Sequence, residues 1–405
     1  MNEKNVLKCE FCGEVIVQDY NDTEELYWIS KNLFPDKPPI CDGCIFDILM
    51  EMEEASIEFE KTHKKLDVNS KADEHEKIKL GKTIDIFNKC NETVRNQDAQ
   101  LKKLISIIKH NHTAKNVNTK INVMMIGLTG TGKTLIAKTI SEVMGIPYVI
   151  ENATEFTEAG YYGRDVEEMI VDLYQASNYD LEKTQRGIIF IDEIDKKEAG
   201  EGGRDVSGAK VIESLLTMMQ GSKIMVFDEN DAEYYKIDTS FITFVCMGVF
   251  PNLDKVRNKR LNNSGSIGFA DETKVSGISK EYITSDFEKI GFNSQFIARF
   301  GKIIELNNHT KDSLRDIICN SKAAGVTPWV DEFSVNNITL EIEDEVIGKI
   351  VDKAIALKSG ARGISRELNE VLIDILMDIV DNQETEKKCI LDMNTFENPL
   401  QYTLI

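Results

Sequence analysis

The chain has 405 residues, 41% of them hydrophobic and 29% charged, which is long enough for two or three domains and apolar enough to bury ordinary cores. A formal net charge of -21 argues against nucleic acid as a ligand, because phosphate backbones are held by surplus Lys and Arg. The first ten residues lack the apolar stretch of a signal peptide, and no run of about 18 apolar residues occurs. A cytoplasmic protein with no membrane partner is therefore expected.

At the N-terminal end, Cys9-x2-Cys12 is followed after 28 residues by Cys41-x2-Cys44. Disulfides are rare in a reducing compartment, so close cysteine pairs point to metal; four thiolates fill a tetrahedral shell and make a structural Zn²⁺ site. Residues 1–50, which also hold Pro35, Pro38 and Pro39, read as a small zinc-binding domain that cannot rely on a core of its own. Residues 51–90 are dense in Glu, Lys and Asp and read as a solvated helical linker. The isolated Cys90, Cys246, Cys319 and Cys389 read as small buried hydrophobes.

From about residue 91 the pattern becomes β-rich apolar runs alternating with helical periodicity. The runs are Val123–Ile126, Tyr148–Ile150, Ile188–Ile191 and Phe241–Val245. Between them Val166, Met169, Ile170, Leu173 and Tyr174 repeat at helical spacing. Strands apolar throughout and separated by helices predict a doubly wound parallel α/β sheet spanning 91–307. Beyond it, Ile364, Leu368, Val371, Leu372, Ile375, Leu376 and Ile379 mark one face of a long helix. This predicts a small, mainly helical domain at 308–395 and a tail at 396–405.

Directly after the first run comes Gly127-Leu128-Thr129-Gly130-Thr131-Gly132-Lys133-Thr134, then Leu135 at the start of a helical pattern. Glycines let the backbone form a nest of N–H donors at a helix N-terminus, which holds the phosphates of ATP. Lys133 is placed for the β- and γ-phosphates and Thr134 for Mg²⁺. The strand Ile188–Ile191 ends in Asp192 and Glu193, suited to Mg²⁺ coordination and to activation of the attacking water respectively. A P-loop and an acidic pair separated by one strand and helix form the arrangement of AAA+ ATP hydrolases.

Between these motifs, Glu158-Ala159-Gly160-Tyr161-Tyr162-Gly163-Arg164-Asp165 carries two aromatics flanked by glycines, a composition that favours an exposed loop. This segment, with Gln185-Arg186-Gly187, Asp192 to Lys196 and Arg204-Asp205-Val206-Ser207-Gly208, closely resembles the ClpX family of AAA+ protein unfoldases. The resemblance implies a homohexamer in which Tyr161 grips an unfolded or tagged polypeptide in an axial channel. Tyr162 stands where the family usually has valine, and the Arg204 to Ser207 segment resembles the family's second pore loop. It also implies that Arg299 reaches the nucleotide of a neighbouring subunit and that Arg362 is the sensor arginine of the small domain. Adaptor proteins would dock on the zinc domain. Ile267-Gly268-Phe269, in a polar stretch, matches the tripeptide that docks on a ClpP-type peptidase. The alternative, an ATP-driven remodelling chaperone without a peptidase, differs only at that tripeptide.

Two segments depart from the family. Phe227 to Tyr235 is acidic and shorter where the family has a basic Arg-Lys-His loop, so a preference for basic or neutral degrons is expected. Val94-Arg95-Asn96-Gln97 stands where the family commonly has an apolar residue and glycine before the glutamine, near the adenine pocket, where an altered nucleotide affinity is expected. The strand Phe241 to Cys246 offers no residue that can be assigned as first sensor.

Overall fold

A strand apolar at every position needs cover on both faces, and the computed structural model supplies it. The structure describes residues 7–8, 15–16, 80–157, 164–197, 206–228, 230–263, 280–382 and 387–404. Met1–Lys79 and Leu80–Ile405 form separate units. In the first, Leu7–Lys8 pairs antiparallel with Val15–Ile16; Cys9, Cys12, Cys41 and Cys44 lie outside the described residues.

The second unit begins with α1 (Thr83–Asn91), α2 (Asp98–Thr113), β1 (Asn122–Ile126), α3 (Lys133–Met144), β2 (Tyr148–Asn152), α4 (Glu168–Ala176), β3 (Ile188–Asp192) and α5 (Val206–Gln220). It continues through β4 (Lys223–Asp228), β5 (Glu233–Asp238), β6 (Thr243–Gly248), α6 (Leu253–Asn263) and β7 (Phe300–Glu305). Five strands form one sheet in the order β2-β3-β6-β1-β7, every pairing parallel, while β4 and β5 make a separate antiparallel hairpin. Alternation along β1 divides the core: Val123 and Met125 meet α1, α2 and α3, whereas Met124 and Ile126 meet α4 and α5. All five periodic residues around α4 are buried in that second core. The predicted parallel α/β sheet is what forms.

Phe241 belongs to a 3₁₀ turn, Thr239–Phe241, so the last run enters its strand two residues later than the composition suggests. The cause is local: the Asp238 carboxylate accepts from the Ser240 amide at 2.8 Å and caps the turn. Residues 83–90, read as linker from their charge, form most of α1 and bury Ile86, Phe87 and Cys90 against the sheet. Three apolar residues on one helical face are enough to dock a helix whose other faces are charged.

The chain then builds α7 (Lys311–Asn320), α8 (Thr327–Val335), β8 (Ile338–Ile342), α9 (Asp344–Ala356), α10 (Ala361–Asp381), β9 (Lys387–Leu391) and β10 (Thr403–Leu404). The seven periodic residues on α10 are buried in a third core. This part is helical as expected, with a small sheet added: β8 runs parallel to β9, and β10 antiparallel to it. The segment read as a tail supplies β10, and Tyr402 donates its hydroxyl proton to Asp378 at 2.5 Å. Cys90, Cys246 and Cys389 are buried; Cys319, on the outer face of α7, is exposed, contrary to the uniform reading of the isolated cysteines.

Candidate active site

The glycines between β1 and α3 do what a phosphate loop requires. Gly130 (φ 80°) and Gly132 (φ 94°) sit in the left-handed region, and Gly132 caps α3. The chain therefore curls over the N-terminus of a twelve-residue helix, where unpaired amides and the helix dipole favour an anion. The Lys133 ammonium folds back to donate to the Gly127 and Leu128 carbonyls at 2.7 and 3.2 Å. Burial pushes its pKa below the ordinary lysine value, partly offset by Asp192 and Asp195. The Thr134 hydroxyl donates to Asp192 Oδ2 at 3.0 Å.

After β3 the backbone turns sharply: Glu193 has φ 56°, uncommon for a residue with a side chain, and its amide donates to Asp192 Oδ1 at 2.9 Å. Asp192 thus bonds Thr134 through one oxygen and fixes the backbone of Glu193 through the other, while Glu193 is exposed toward the cavity. Asp195 is buried, and its Oδ1 accepts from the Val249 amide at 3.2 Å, joining this turn to the end of β6. A Cβ on Gly248 would lie 2.6 Å from the Phe250 ring and 2.8 Å from Asp195 Oδ1. A larger residue at that position would collide.

The opposite wall belongs to the helical part. A cavity of about 420 Å³ is lined by Gly132, Lys133, Thr134, Asp192 and Glu193 on one side and by Ala324, Ala361, Arg362 and Ser365 on the other. The two walls touch at a glycine pair. A Cβ on Gly130 would come 2.5 Å from the Ser359 carbonyl, and one on Gly360 3.0 Å from the Gly130 carbonyl. That carbonyl accepts from the Ala361 amide at 3.4 Å and from His309 Nε2 at 3.0 Å. A carbonyl only accepts, so Nε2 carries the proton; Nδ1 is buried without a partner, and burial lowers the His309 pKa.

Residues 118–303 match the family model of the AAA domain, Cdc48 subfamily, and residues 326–391 match that of the C-terminal D2-small domain of ClpB. A relative from Bacteroides thetaiotaomicron, described as ATP-dependent Clp protease ATP-binding subunit ClpX, is 31% identical over 96% of this chain and 95% of its own length. The chain belongs to the ClpX family. Proteins of the same description from Treponema denticola and Bacteroides fragilis are 31% identical over 84% of this chain and 29% identical over 96% of it. They cover 84% and 95% of their own lengths.

Of the ClpX-type residues expected from sequence, Thr129, Gly130, Gly132, Lys133, Thr134, Leu135, Asp192, Glu193 and Arg362 line one cavity. Arg299 does not: it is exposed in the turn just before β7, and its guanidinium pairs with no described residue. Tyr161, Tyr162, Arg204, Ile267, Gly268 and Phe269 lie outside the described residues. The ends of the Tyr161 segment are pinned together, Thr157 N donating to the Arg164 carbonyl at 3.1 Å and Arg164 N to that of Glu155 at 3.2 Å. Among the described residues no cluster could hold a metal through three His, Cys, Asp or Glu side chains, and no helix is long and apolar enough to cross a membrane.

Sequence reasoning missed Asp195, because an acid after a strand reads as solvated, and His309, which carries no motif. It also missed where one acid of the β4–β5 hairpin goes. Asp228 turns inward, accepting from the Tyr174 hydroxyl at 2.8 Å, and Tyr235 donates to Asp231 at 2.5 Å. Asp231 and Glu233 stay exposed, and beside them the hairpin exposes Met225, Phe227 and Tyr234, with the two rings 5.0 Å apart.

Proposed function

We propose that this chain is an ATP-driven protein unfoldase and translocase, working as a homohexameric ring that passes polypeptide to a ClpP-type peptidase. The observation that carries the reading is the single cavity in which Lys133, Thr134, Asp192 and Glu193 face Arg362 of the helical part.

The donor set fits MgATP. Amides of a glycine nest suit the phosphates, and a hydroxyl and a carboxylate 3.0 Å apart are the hard oxygen donors that Mg²⁺ takes. Bound Mg²⁺ would supply Lewis-acid neutralisation of charge on the transferring phosphoryl group. Lys133, already desolvated, compensates the β- and γ-phosphates; Glu193 takes a proton from the attacking water. Arg362, at the head of α10, lets the small domain respond to the γ-phosphate. The exposed, unpaired position of Arg299 supports service to a neighbouring subunit's site, where a guanidinium stabilises transition-state charge.

Threading rests on Tyr161 and Tyr162 in the first pore loop and Arg204 in the second. The pinned ends of the Tyr161 segment support a loop held at its base. Ile267-Gly268-Phe269 supports a peptidase partner, and Cys9, Cys12, Cys41 and Cys44 a structural Zn²⁺ domain that receives adaptors.

Glu193→Gln tests the reading. It should bind ATP while hydrolysis falls about 10²–10⁴-fold, the range for loss of a general base. Hydrolysis at the parental rate would remove Glu193 from the mechanism.

A further inference from the structure

Arg95 and Asn96, which depart from the family ahead of Gln97, do not line the cavity, and the structure shows where they go. Arg95 donates through Nε to Asp316 Oδ2 at 2.8 Å and through Nη2 to Oδ1 at 2.9 Å, a fork-to-carboxylate pair between residues 221 apart in sequence. Asp316 sits on α7 in the helical part; Arg95 precedes α2 in the sheet part. Hydrogen bonding from Arg95 holds the Asp316 carboxyl below its ordinary pKa. The neighbouring residue, Asn96, adopts φ 65°, a conformation glycine takes freely and asparagine tolerates. Arg95 is thereby turned away from the cavity.

The same segment, residues 92–97, holds the covalent hinge, the link 306–310 between β7 and α7. The Gln97 side chain is buried; its Nε2 donates to the Asn307 carbonyl at 3.0 Å, and its Oε1 accepts from the Asn307 amide at 2.9 Å. Gln97 Nε2 also donates to the Thr131 carbonyl of the P-loop at 3.5 Å. A strap six residues long thus runs from α7, past the hinge, to the P-loop. Beside the Ala361 and His309 contacts to the Gly130 carbonyl, it is a further connection between the two walls of the cavity, and its backbone also accepts from Ser321 Oγ at Thr93 (2.7 Å) and from the Lys322 amide at Glu92 (3.0 Å).

We infer that Arg95 and Asp316 are positioning residues that latch this strap and so set the spacing of the walls before nucleotide arrives. A ligand held between two walls binds more tightly when their spacing is already fixed. Of the charged contacts along the strap, Lys322–Glu92 is 64% and 52% exposed and is screened. Arg95–Asp316, at 27% and 36%, is bidentate and further anchored by Asn320, which donates to Asp316 at 2.8 Å. The latch is therefore assigned to that pair.

The inference rests on the proposed nucleotide site, and its test separates the two. Full-length wild type, Arg95→Met, Asp316→Asn and the charge swap Arg95→Asp with Asp316→Arg are compared in two assays. The first is equilibrium binding of MgATP with steady-state hydrolysis. The single variants should raise the Kd and KM for ATP about three- to five-fold, with kcat unchanged within about two-fold, and the swap should return both. The second is amide hydrogen exchange over residues 92–101 without nucleotide, which should accelerate in the single variants and recover in the swap. Wild-type affinity in the single variants, or a swap no better than either, overturns the latch. If wild type itself does not bind ATP, the proposed function fails, and the exchange assay alone decides whether the strap is latched.

Discussion

The two walls of the cavity are built on opposite principles. The sheet wall concentrates its chemistry in Gly127–Leu135 and Asp192–Glu193, side chains and amides delivered by the ends of two nearby strands. The helical wall and its attachments are assembled from distant pieces: Gly360 against Gly130, His309 on the Gly130 carbonyl, Gln97 on Asn307 and Arg95 on Asp316. Reactive groups need close local placement, so they are written in short motifs. Coupling between parts needs only complementary contacts and can be written anywhere in the chain.

The largest effect should come from breaking the sheet wall. Lys133→Ala removes the half-buried cation proposed to meet the phosphates, and a hydrogen bond to a charged group contributes about 1.5–3 kcal/mol, so ATP affinity should fall about ten- to a hundred-fold. Titration calorimetry checks this. Unaltered affinity would mean that the loop does not hold phosphates.

That wall was almost fully legible. The glycines, the lysine and the acidic pair each have a chemical reason at their spacing, and the apolar runs Val123–Ile126 and Ile188–Ile191 located the strands bearing them. Less was legible where a residue's role depends on a distant partner. Arg95 read as a departure near the adenine pocket, with nothing in the sequence to show that its partner lies 221 residues on, on α7. Asp228 read as surface charge, yet Tyr174 draws it inward. Residues 396–405 read as a tail because two residues, Thr403–Leu404, carry no strand signal until β9 offers them an edge.

A smaller effect sharpens the contrast on the helical wall. Burial lowers the pKa of both His309 and His112 from the ordinary 6.5, so the unfolded chain binds more protons as pH falls through that value. The stability tied to their neutral forms is full above 6.5 and is lost as pH drops through it toward the folded pKa. His309→Gln keeps a donor for the Gly130 carbonyl but cannot titrate. It should flatten the fall in Tm between about pH 7.5 and pH 5.5 by about 1–2 °C. An unchanged slope would show that His309 does not titrate with unfolding.

The central claim is that a cavity shared by two walls converts ATP hydrolysis into work on a polypeptide. The direct measurement is loss of fluorescence from a folded fluorescent protein carrying an unstructured tail, mixed with the full chain and MgATP, beside the Tyr161→Ala variant. The account predicts ATP-dependent loss with the wild type, and with Tyr161→Ala continued ATP hydrolysis but little loss. Hydrolysis by the wild type with fluorescence untouched for every tail offered, basic, neutral or acidic, would contradict it.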